Sequence, residues 1–277
     1  INECKQIIKI NNKDKDILHI IKSKINFDNK IIDDLKNISQ EVHKATVEIK
    51  FIMINKRYSD LVKNLFLNQH ISPRNIFCTS YVQSLGHIYK NGISGYSSFL
   101  DIGLKKSSLT IFKDDKLLYL NNTHIGGDHV TKDISKILNI NYRKAEAQKI
   151  KFSRNLEKEN DTKENELLKK IINSRLEEIV ELLFLNCPLV VNNIFSSGLK
   201  LFFIGNGSRA LNENLLSFGP EFNFINEMSI IYETKKDSCD SAFKFNNNNE
   251  KIQPQKHNLN LENKGFFERL FNYFTRK

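Results

Sequence analysis

Apolar and polar positions follow two different periods along the first part of the chain. Residues 16–27 (DILHIIKSKINF) and 46–54 (TVEIKFIMI) alternate between the two classes, which is typical of half-buried β-strands. Residues 58–68 instead place apolar side chains at 58, 61, 62, 65 and 66, which is the spacing of one helical face. The pattern therefore predicts two strands followed by an amphipathic helix.

Strand and helix patterns continue to alternate in the middle of the chain. The predicted elements are the hairpin strands Phe99–Ile102 and Leu109–Phe112, the helices Thr131–Leu138, Tyr142–Lys149 and 161–186, and the short apolar strand Leu199–Ile204. Strands that alternate with helices in this way predict an α/β core.

The pattern changes at about Glu233. Residues 233–264 contain four consecutive asparagines and few large apolar groups, so they cannot bury enough surface to offset the entropy of ordering. We predict a disordered linker over this range. Beyond it, residues 265–277 (GFFERLFNYFTRK) gather their apolar side chains within an arc of about 160° on a helical wheel.

This terminal segment has the composition of an interfacial membrane helix. An apolar face would enter the lipid, and basic side chains at its rim would meet anionic headgroups. The predicted membrane-binding residues are Phe266, Phe267, Arg269, Leu270, Phe271, Phe274, Arg276 and Lys277. A helix packed on its own domain and a helix bound in a partner's groove are the alternatives.

Composition narrows the function classes. The chain has 277 residues, 42 Lys+Arg against 32 Asp+Glu and a net charge of +10, which permits a nucleic acid, anionic lipid or acidic protein as partner. The Lys and Arg residues are scattered over amphipathic helices and no basic-aromatic motif is present, which disfavours nucleic acid. The four cysteines are far apart, which fits neither a zinc site nor a disulfide framework and indicates a reducing cytoplasm.

Three glycine-bearing turns are candidates for a nucleotide pocket. Residues 99–112 deliver Asp101 and Gly103 to a hairpin turn, where the carboxylate is suited to hydrated Mg²⁺. Residues 124–138 contain a Gly-Gly turn before a helix. Residues 201–211 place a Gly-x-Gly-Ser turn between a buried strand and a helix start, whose N–H groups attract anions.

In order and spacing, these motifs resemble the bacterial cell division protein FtsA, a family of actin-like membrane tethers for the tubulin homologue FtsZ. Residues 101–108 (DIGLKKSS) are similar to the family's D-I-G-G-G-T hairpin, and residues 126–134 (GGDHVTKDI) to its G-G-x-x-x-T-x-D-I motif. AEAQK (145–149) resembles the A-E-x-x-K element, and IGNGS (204–208) the adenosine-side turn. The resemblance extends over nearly the whole chain.

The resemblance implies an actin-like (ribonuclease H-like) two-lobed α/β fold that binds ATP and Mg²⁺. Asp101 would orient Mg²⁺ through water, and Glu146 and Lys149 would contact the ribose or base. The implied nucleotide-binding residues are Asp101, Gly103, Lys106, Ser107, Ser108, Gly126, Gly127, Asp128, Glu146, Lys149, Gly205, Asn206, Gly207 and Ser208. The family's Gly-Gly-Thr is replaced here by residues 104–106 (Leu-Lys-Lys), so no catalytic residue is assigned, and we expect ATP hydrolysis to be weak or lost, with the turns retained as scaffolding.

The resemblance also implies partners and a location. They are the C-terminal tail of FtsZ, further copies of the chain in filaments, the anionic surface of the cytoplasmic membrane at the division site, and later division proteins. The chain would be a peripheral membrane protein that binds no nucleic acid. Residues 152–164 are short and charged where the family has a β-hairpin, which leaves FtsZ contact open.

The resemblance also implies a set of domain boundaries, in which Ile1 matches a position within the sequence of a family member. The family begins with another D-x-G hairpin about a hundred residues before the point that matches Ile1, so we expect Ile1 to begin a fragment whose first lobe is incomplete. The expected parts are 1–50 (remainder of the family's extra subdomain), 51–97 (remainder of the first lobe), 98–232 (second lobe, with a shortened insertion at 151–186), 233–264 (linker) and 265–277 (amphipathic helix). Another actin-like ATPase of the MreB or chaperone type is the main alternative.

Overall fold

A computed structural model describes residues 2–27, 30–32, 44–154, 163–185, 187–196, 198–210, 219–234 and 236–252. These residues form two β-sheets and eight α-helices. The strands are β1 (Lys15–Phe27), β2 (Lys30–Ile32), β3 (Ala45–Asn55), β4 (Tyr96–Ile102), β5 (Ser107–Lys113), β6 (Lys116–Thr123), β7 (Leu199–Ile204) and β8 (Ile225–Ile230). The helices are α1 (Asn2–Asn11), α2 (Lys56–Leu67), α3 (Thr79–Asn91), α4 (Gly127–Ile137), α5 (Tyr142–Arg154), α6 (Lys163–Phe184), α7 (Pro188–Val191) and α8 (Asp237–Ile252).

The main sheet has five strands in the order β6-β5-β4-β7-β8. Strands β4, β5 and β6 form an antiparallel meander, and β7 and β8 add to the other side of β4 as parallel strands. A parallel strand needs a crossover connection, which the helices between β6 and β7 provide. The predicted hairpin, helices and apolar strand of this region are confirmed.

Both faces of this sheet are covered, which explains the continuous apolar run in β7. Leu201 and Phe203 lie in the core on the side of α4 and α6, whereas Phe202 and Ile204 lie in the core on the side of α3. Alternate residues of a strand point to opposite faces, so a strand buried on both sides is apolar throughout. The larger of the two cores holds the whole apolar stripe of α6, from Leu168 to Phe184.

The second sheet has three antiparallel strands in the order β2-β1-β3. Its long pair, β1 with β3, matches the two alternating segments of the sequence. One buried residue of β1, His19, joins this sheet to the rest of the chain. Its Nε2 accepts a hydrogen bond of 2.8 Å from the Cys78 N–H, and its ring packs against Phe77, Tyr81 and Phe245.

The prediction of a disordered linker over residues 233–264 is wrong for residues 237–252, which form helix α8. The composition of this segment is polar, but Ala242 and Phe245 pack into the core beside α3. The start of the helix is also fixed to the segment before it, because the Asp237 carboxylate accepts hydrogen bonds from both the N–H and the hydroxyl of Thr234. The predicted amphipathic helix over 265–277 lies outside the described residues, and the proposed domain boundaries remain predictions.

All four cysteines lie within the described residues and are free thiols. In the part of the chain that the structure describes, no helix is both long and apolar enough to cross a bilayer.

Candidate nucleotide-binding site

The carboxyl ends of β4 and β7 meet at one edge of the main sheet. Asp101 lies directly opposite Ile204 in the parallel pair, and Gly205 follows at once. Gly205 has a φ of 84°, and a Cβ there would lie 2.3 Å from the Asp101 Oδ1. The close approach of the two turns therefore requires glycine at 205.

The hairpin turn after β4 packs against the start of α4. The N–H of Gly127 donates to the Gly103 carbonyl at 2.9 Å, and the N–H of Asp128 donates to the Leu104 carbonyl at 2.8 Å. A Cβ at Gly126 would lie 2.6 Å from the Gly103 oxygen, so this contact also depends on glycine. The first two of the predicted turns are thus fixed to each other by backbone hydrogen bonds.

Helix α5 contributes the pair Glu146 and Lys149. The Lys149 ammonium, which is buried, donates to the Gly127 carbonyl at 3.0 Å, to the Thr131 hydroxyl at 2.7 Å and to the Glu146 carboxylate at 2.7 Å. Burial alone would raise the pKa of Glu146, but the hydrogen bonds from Lys149 and Thr131 outweigh it and lower that pKa. The network fixes the A-E-x-x-K element to α4.

These turns and helices enclose a cavity of about 1030 Å³. Of the predicted residues, the structure brings eight to its wall from four separate parts of the chain: Asp101, Gly103, Gly127, Glu146, Lys149, Gly205, Asn206 and Gly207. A volume of this order is at the upper end of the range for small-molecule and cofactor sites.

The other six predicted residues do not line this cavity. Lys106 is exposed on the hairpin turn, and Gly126 lies behind Gly127 against the Gly103 turn. The four remaining side chains serve structural hydrogen bonds: Ser107 donates to the Ile125 carbonyl, Ser108 pairs with Ser80, Asp128 pairs with Lys132 and Tyr142, and Ser208 donates to the Gly205 carbonyl.

The cavity is also lined by eight residues that the sequence did not indicate: Gln83, Leu104, Ile150, Arg209, Tyr232, Glu233, Thr234 and Ser238. Leu104, Ile150 and Arg209 are sequence neighbours of the motifs, so their inclusion follows from the motifs. Gln83 from α3 and the group from Tyr232 to Ser238 belong to no motif. Gln83 and Ser238 reach the cavity from α3 and from the first turn of α8, which pack against each other. Residues 232–234 reach it because they follow β8, whose parallel pairing with β7 brings its carboxyl end next to Gly205.

Two carboxylates share the floor of the cavity. Burial, and then the charge of Glu233, raise the pKa of Asp101 to about 6. Burial would raise the pKa of Glu233 as well, but hydrogen bonds from His87, Gln83 and the Gly205 N–H outweigh it, so that pKa is lowered. Among the described residues, no group of three or more His, Cys, Asp or Glu side chains is arranged to hold a metal ion. A water-mediated Mg²⁺ at Asp101 remains a prediction, as do the membrane-binding residues.

The comparisons with known proteins agree with the motifs. A model of the family "Cell division protein FtsA" matches residues 98–211. The Cell division protein FtsA of two Helicobacter pylori strains, 26695 and J99, is 24% identical over 139 residues, which is 50% of this chain. That match spans only 28% of the length of each relative.

Solved structures share the fold at low sequence identity. The PilM-PilN type IV pilus biogenesis complex matches with a TM-score of 0.57 and 14% identity over 91% of this chain and 73% of the other. MreB5 of Spiroplasma citri, in its ADP-bound and AMPPNP-bound structures, matches with a TM-score of 0.54 and 15% identity over 72% of this chain and 68% or 67% of the other. At these identities the likeness concerns the fold alone. Together with the family match over residues 98–211, it supports the resemblance, and the chain has an α/β fold similar to those of these solved structures.

Proposed function

We propose that this chain is a nucleotide-binding, actin-like protein of bacterial cell division. One observation carries the proposal: eight motif residues, from Asp101 to Gly207 in the sequence, converge on one cavity of about 1030 Å³. Glycine turns allow a ligand to approach the backbone closely, and the buried ammonium of Lys149 and the guanidinium of Arg209 lie in the same wall. ATP or ADP is the ligand class that fits this combination. The ADP-bound and AMPPNP-bound MreB5 structures, which share the fold, support it.

We further propose that the nucleotide is bound without efficient hydrolysis. Leu104, Lys105 and Lys106 form the hairpin turn where the FtsA motif has Gly-Gly-Thr, and Lys106 does not line the cavity. Among residues 101–108 of the hairpin motif, Asp101 is the acidic residue, and its carboxylate is suited to a hydrated Mg²⁺. Nucleotide binding of this kind would regulate the self-association of the protein and would not serve efficient catalysis.

The match to FtsA supports a wider role as a tether. We propose that the chain associates with further copies of itself, binds the C-terminal tail of FtsZ, attaches through residues 265–277 to the cytoplasmic membrane at the division site, and recruits later division proteins. The match to the FtsA family over residues 98–211 favours this role over that of an MreB-type protein, because the likeness to MreB5 concerns the fold alone.

Gly127→Ala is the sharpest test of nucleotide binding. A Cβ at this position would meet only ordinary contacts, of 3.7 Å to the Gly103 oxygen and 3.8 Å to the Gly207 Cα and the Lys149 Nζ. Since alanine also favours helix, the variant should fold, while its methyl group narrows the cavity between the glycine turns. We expect ADP and a non-hydrolysable ATP analogue to bind the parent chain, and to bind the variant about tenfold more weakly.

The measurement is calorimetric titration with each ligand in the presence of Mg²⁺, with thermal denaturation as the check on folding. Lys136→Ala, on the exposed side of the same helix, is the matched control and should bind as the parent chain does. Absence of binding to the parent chain at millimolar ligand, or equal binding by the Gly127 variant, would refute the proposed site.

A further inference from the structure

The side chain of Glu233 is held inside the candidate site by donors from two directions. One carboxylate oxygen accepts the Gly205 N–H at 2.9 Å. The other accepts from the Gln83 amide and from the His87 Nε2, at 2.6 Å in the latter case. The side chain is only 10% exposed, so it is a fixed part of the cavity wall and not a passing surface group.

The N–H that Glu233 occupies belongs to the turn that ends β7. Backbone N–H groups in such a turn are suited to an anionic oxygen, and hydrogen bonds to a charged acceptor are about twice as strong as neutral ones. This turn resembles the one on the adenosine side, and the phosphate attached to the ribose lies next to the adenosine, so an oxygen of that phosphate and the Glu233 carboxylate compete for the same donor. The carboxylate has the advantage of being tethered, because it needs no association from solution.

Electrostatics adds to this competition. The half-buried carboxyl of Asp101 lies beside Gly205, so the floor of the cavity already carries one acidic group next to Glu233. A phosphate that entered with both carboxylates in place would meet like charges. A nucleoside, which carries no phosphate, would not.

The segment that carries Glu233 is connected to α8. The Glu233 carbonyl accepts from Arg209 at 2.6 Å, Thr234 is bound to Asp237 at the start of α8, and Ser238 in the first turn donates to Gln83 at 3.1 Å. Displacement of the carboxylate therefore disturbs the contacts that fix the first turn of α8 to α3.

We propose that Glu233 is an internal competitor of the ligand's phosphate: its carboxylate occupies the Gly205 N–H in the empty site, and a nucleoside phosphate must displace it, together with residues 232–234, in order to bind. This inference rests on the proposed nucleotide-binding function. It assigns to the site a discrimination between nucleoside and nucleotide that the motif residues alone do not provide.

The test compares adenosine with ADP, both titrated calorimetrically in buffer with a chelator so that metal ions make no contribution. Glu233→Gln keeps the size of the side chain but removes its charge. We expect the variant to bind ADP at least about tenfold more tightly than the parent chain does, and adenosine with unchanged affinity. Glu227→Gln is the matched control, because Glu227 is an exposed residue on β8 that pairs only loosely with Lys200, at 3.6 Å.

Each result decides between the two proposals. If the parent chain binds adenosine and ADP but Glu233→Gln gains no affinity for ADP, the inference is wrong and the proposed function stands. If neither ligand binds the parent chain or the variant, the proposed function fails and this inference with it. A gain for adenosine equal to that for ADP would also overturn the inference, since the charge would then not be the cause.

A second measurement on the parent chain covers the case in which the variant does not fold. In a ¹³C- and ¹⁵N-labelled sample, ADP should shift both the Gly205 amide signal and the Glu233 carboxylate signal, whereas adenosine should leave the carboxylate signal in place. A carboxylate signal that ADP does not move would refute the displacement.

Discussion

His19 connects the three-stranded sheet to helices α3 and α8 through its uncharged imidazole ring. It lies on β1, its Nε2 accepts a hydrogen bond from the Cys78 N–H, and rings from α3, α8 and the segment before α3 surround it. An imidazole that accepts at Nε2 must be unprotonated there. Burial lowers the pKa of His19 from 6.5 to about 4. The attachment of the three-stranded sheet is therefore sensitive to pH.

We predict that His19 makes the folded chain less stable as the pH falls below 6.5. The folded chain binds this proton more weakly than the unfolded chain, so the contribution of His19 is fully present above pH 6.5 and is lost as the pH falls towards 4. By pH 5 the loss should reach about 2 kcal/mol, since one pKa unit corresponds to about 1.4 kcal/mol. Urea unfolding between pH 7.5 and 5 measures it.

His19→Gln provides an acceptor that does not titrate, so its free energy of unfolding should fall less over this pH range than that of the parent chain. The same change at His124, which is exposed, is the matched control. An identical pH dependence in the parent chain and in His19→Gln would contradict the assignment.

At the residue scale, the sequence indicated glycines and a charged pair that line the cavity, but it did not indicate Glu233. Gly103, Gly127 and Gly205 belong to local motifs, and their spacing within each motif is visible in the sequence. Gln83 reaches the cavity from α3, and Glu233 reaches it from the segment after β8, which pairs with β7; the two residues are 150 positions apart in the sequence. Nothing local distinguishes such residues from other polar side chains, so only the folded chain reveals them.

The same distinction between local and distant signals holds for whole elements. Strands β1, β3, β4, β5 and β7 and helices α2, α4, α5 and α6 carry periodic patterns, and the sequence located them. Helix α3 buries Gln83, Ser84 and His87 together with its apolar residues, so it presents no clean apolar stripe. Helix α8 is polar in composition, and its few buried groups are directed at α3. The pattern within each sequence therefore predicts neither helix well, because each buries its side chains against the other helix.

We predict that Gly86→Ala weakens the contact between α3 and α8. A Cβ at Gly86 would lie 2.2 Å from the Ser241 Oγ and 2.8 Å from the Ser241 Cβ, so the two helices must move apart. Alanine in a helix interior is favoured over glycine by about 1 kcal/mol, yet overpacking typically costs about 1–3 kcal/mol. We expect a net loss of stability in chemical unfolding.

Ser241→Gly is the compensating change, since it removes the atoms that the new methyl group would meet. The double variant should recover most of the stability that Gly86→Ala loses, whereas Ser241→Gly alone should not exceed the parent chain. A Gly86→Ala variant that is as stable as the parent chain would contradict the close contact between Gly86 and Ser241.

At the scale of the whole molecule, the fold brings distant motifs to one edge of the main sheet while the basic charge stays dispersed. Asp101, Glu146 and Gly205 come from separate parts of the chain, and the parallel pairing of β4 with β7 is what makes them neighbours. The net charge of +10 is not concentrated in the cavity, where the ammonium of Lys149 is tied to Glu146. The basic residues that remain to be assigned a role include those of residues 265–277.

We predict that residues 265–277 are necessary for membrane attachment. On a helical wheel Phe267 and Phe271 lie within the apolar arc, whereas Asn272 and Thr275 lie opposite. Phe267→Asp with Phe271→Asp should abolish flotation of the chain with vesicles made of phosphatidylcholine and phosphatidylglycerol in equal parts. Asn272→Asp with Thr275→Asp adds the same charge on the other face, so it should retain binding, weakened by roughly 1 kcal/mol or less per added charge.

The matched pair of variants separates insertion of an apolar face from simple charge attraction. If attraction of the basic residues to anionic lipid were the whole cause, both double variants would lose binding to the same extent, and high salt would release the parent chain completely. With insertion, the aromatic variant alone loses binding, and salt weakens the binding of the parent chain only in part, because burial of phenylalanine does not depend on ionic strength.

Addition of FtsZ to the flotation assay then tests the proposed tether. FtsZ should float with vesicles that carry the parent chain and should not float with vesicles that were mixed with the aromatic variant. Flotation of a chain that lacks residues 265–277 would refute the role of this segment outright.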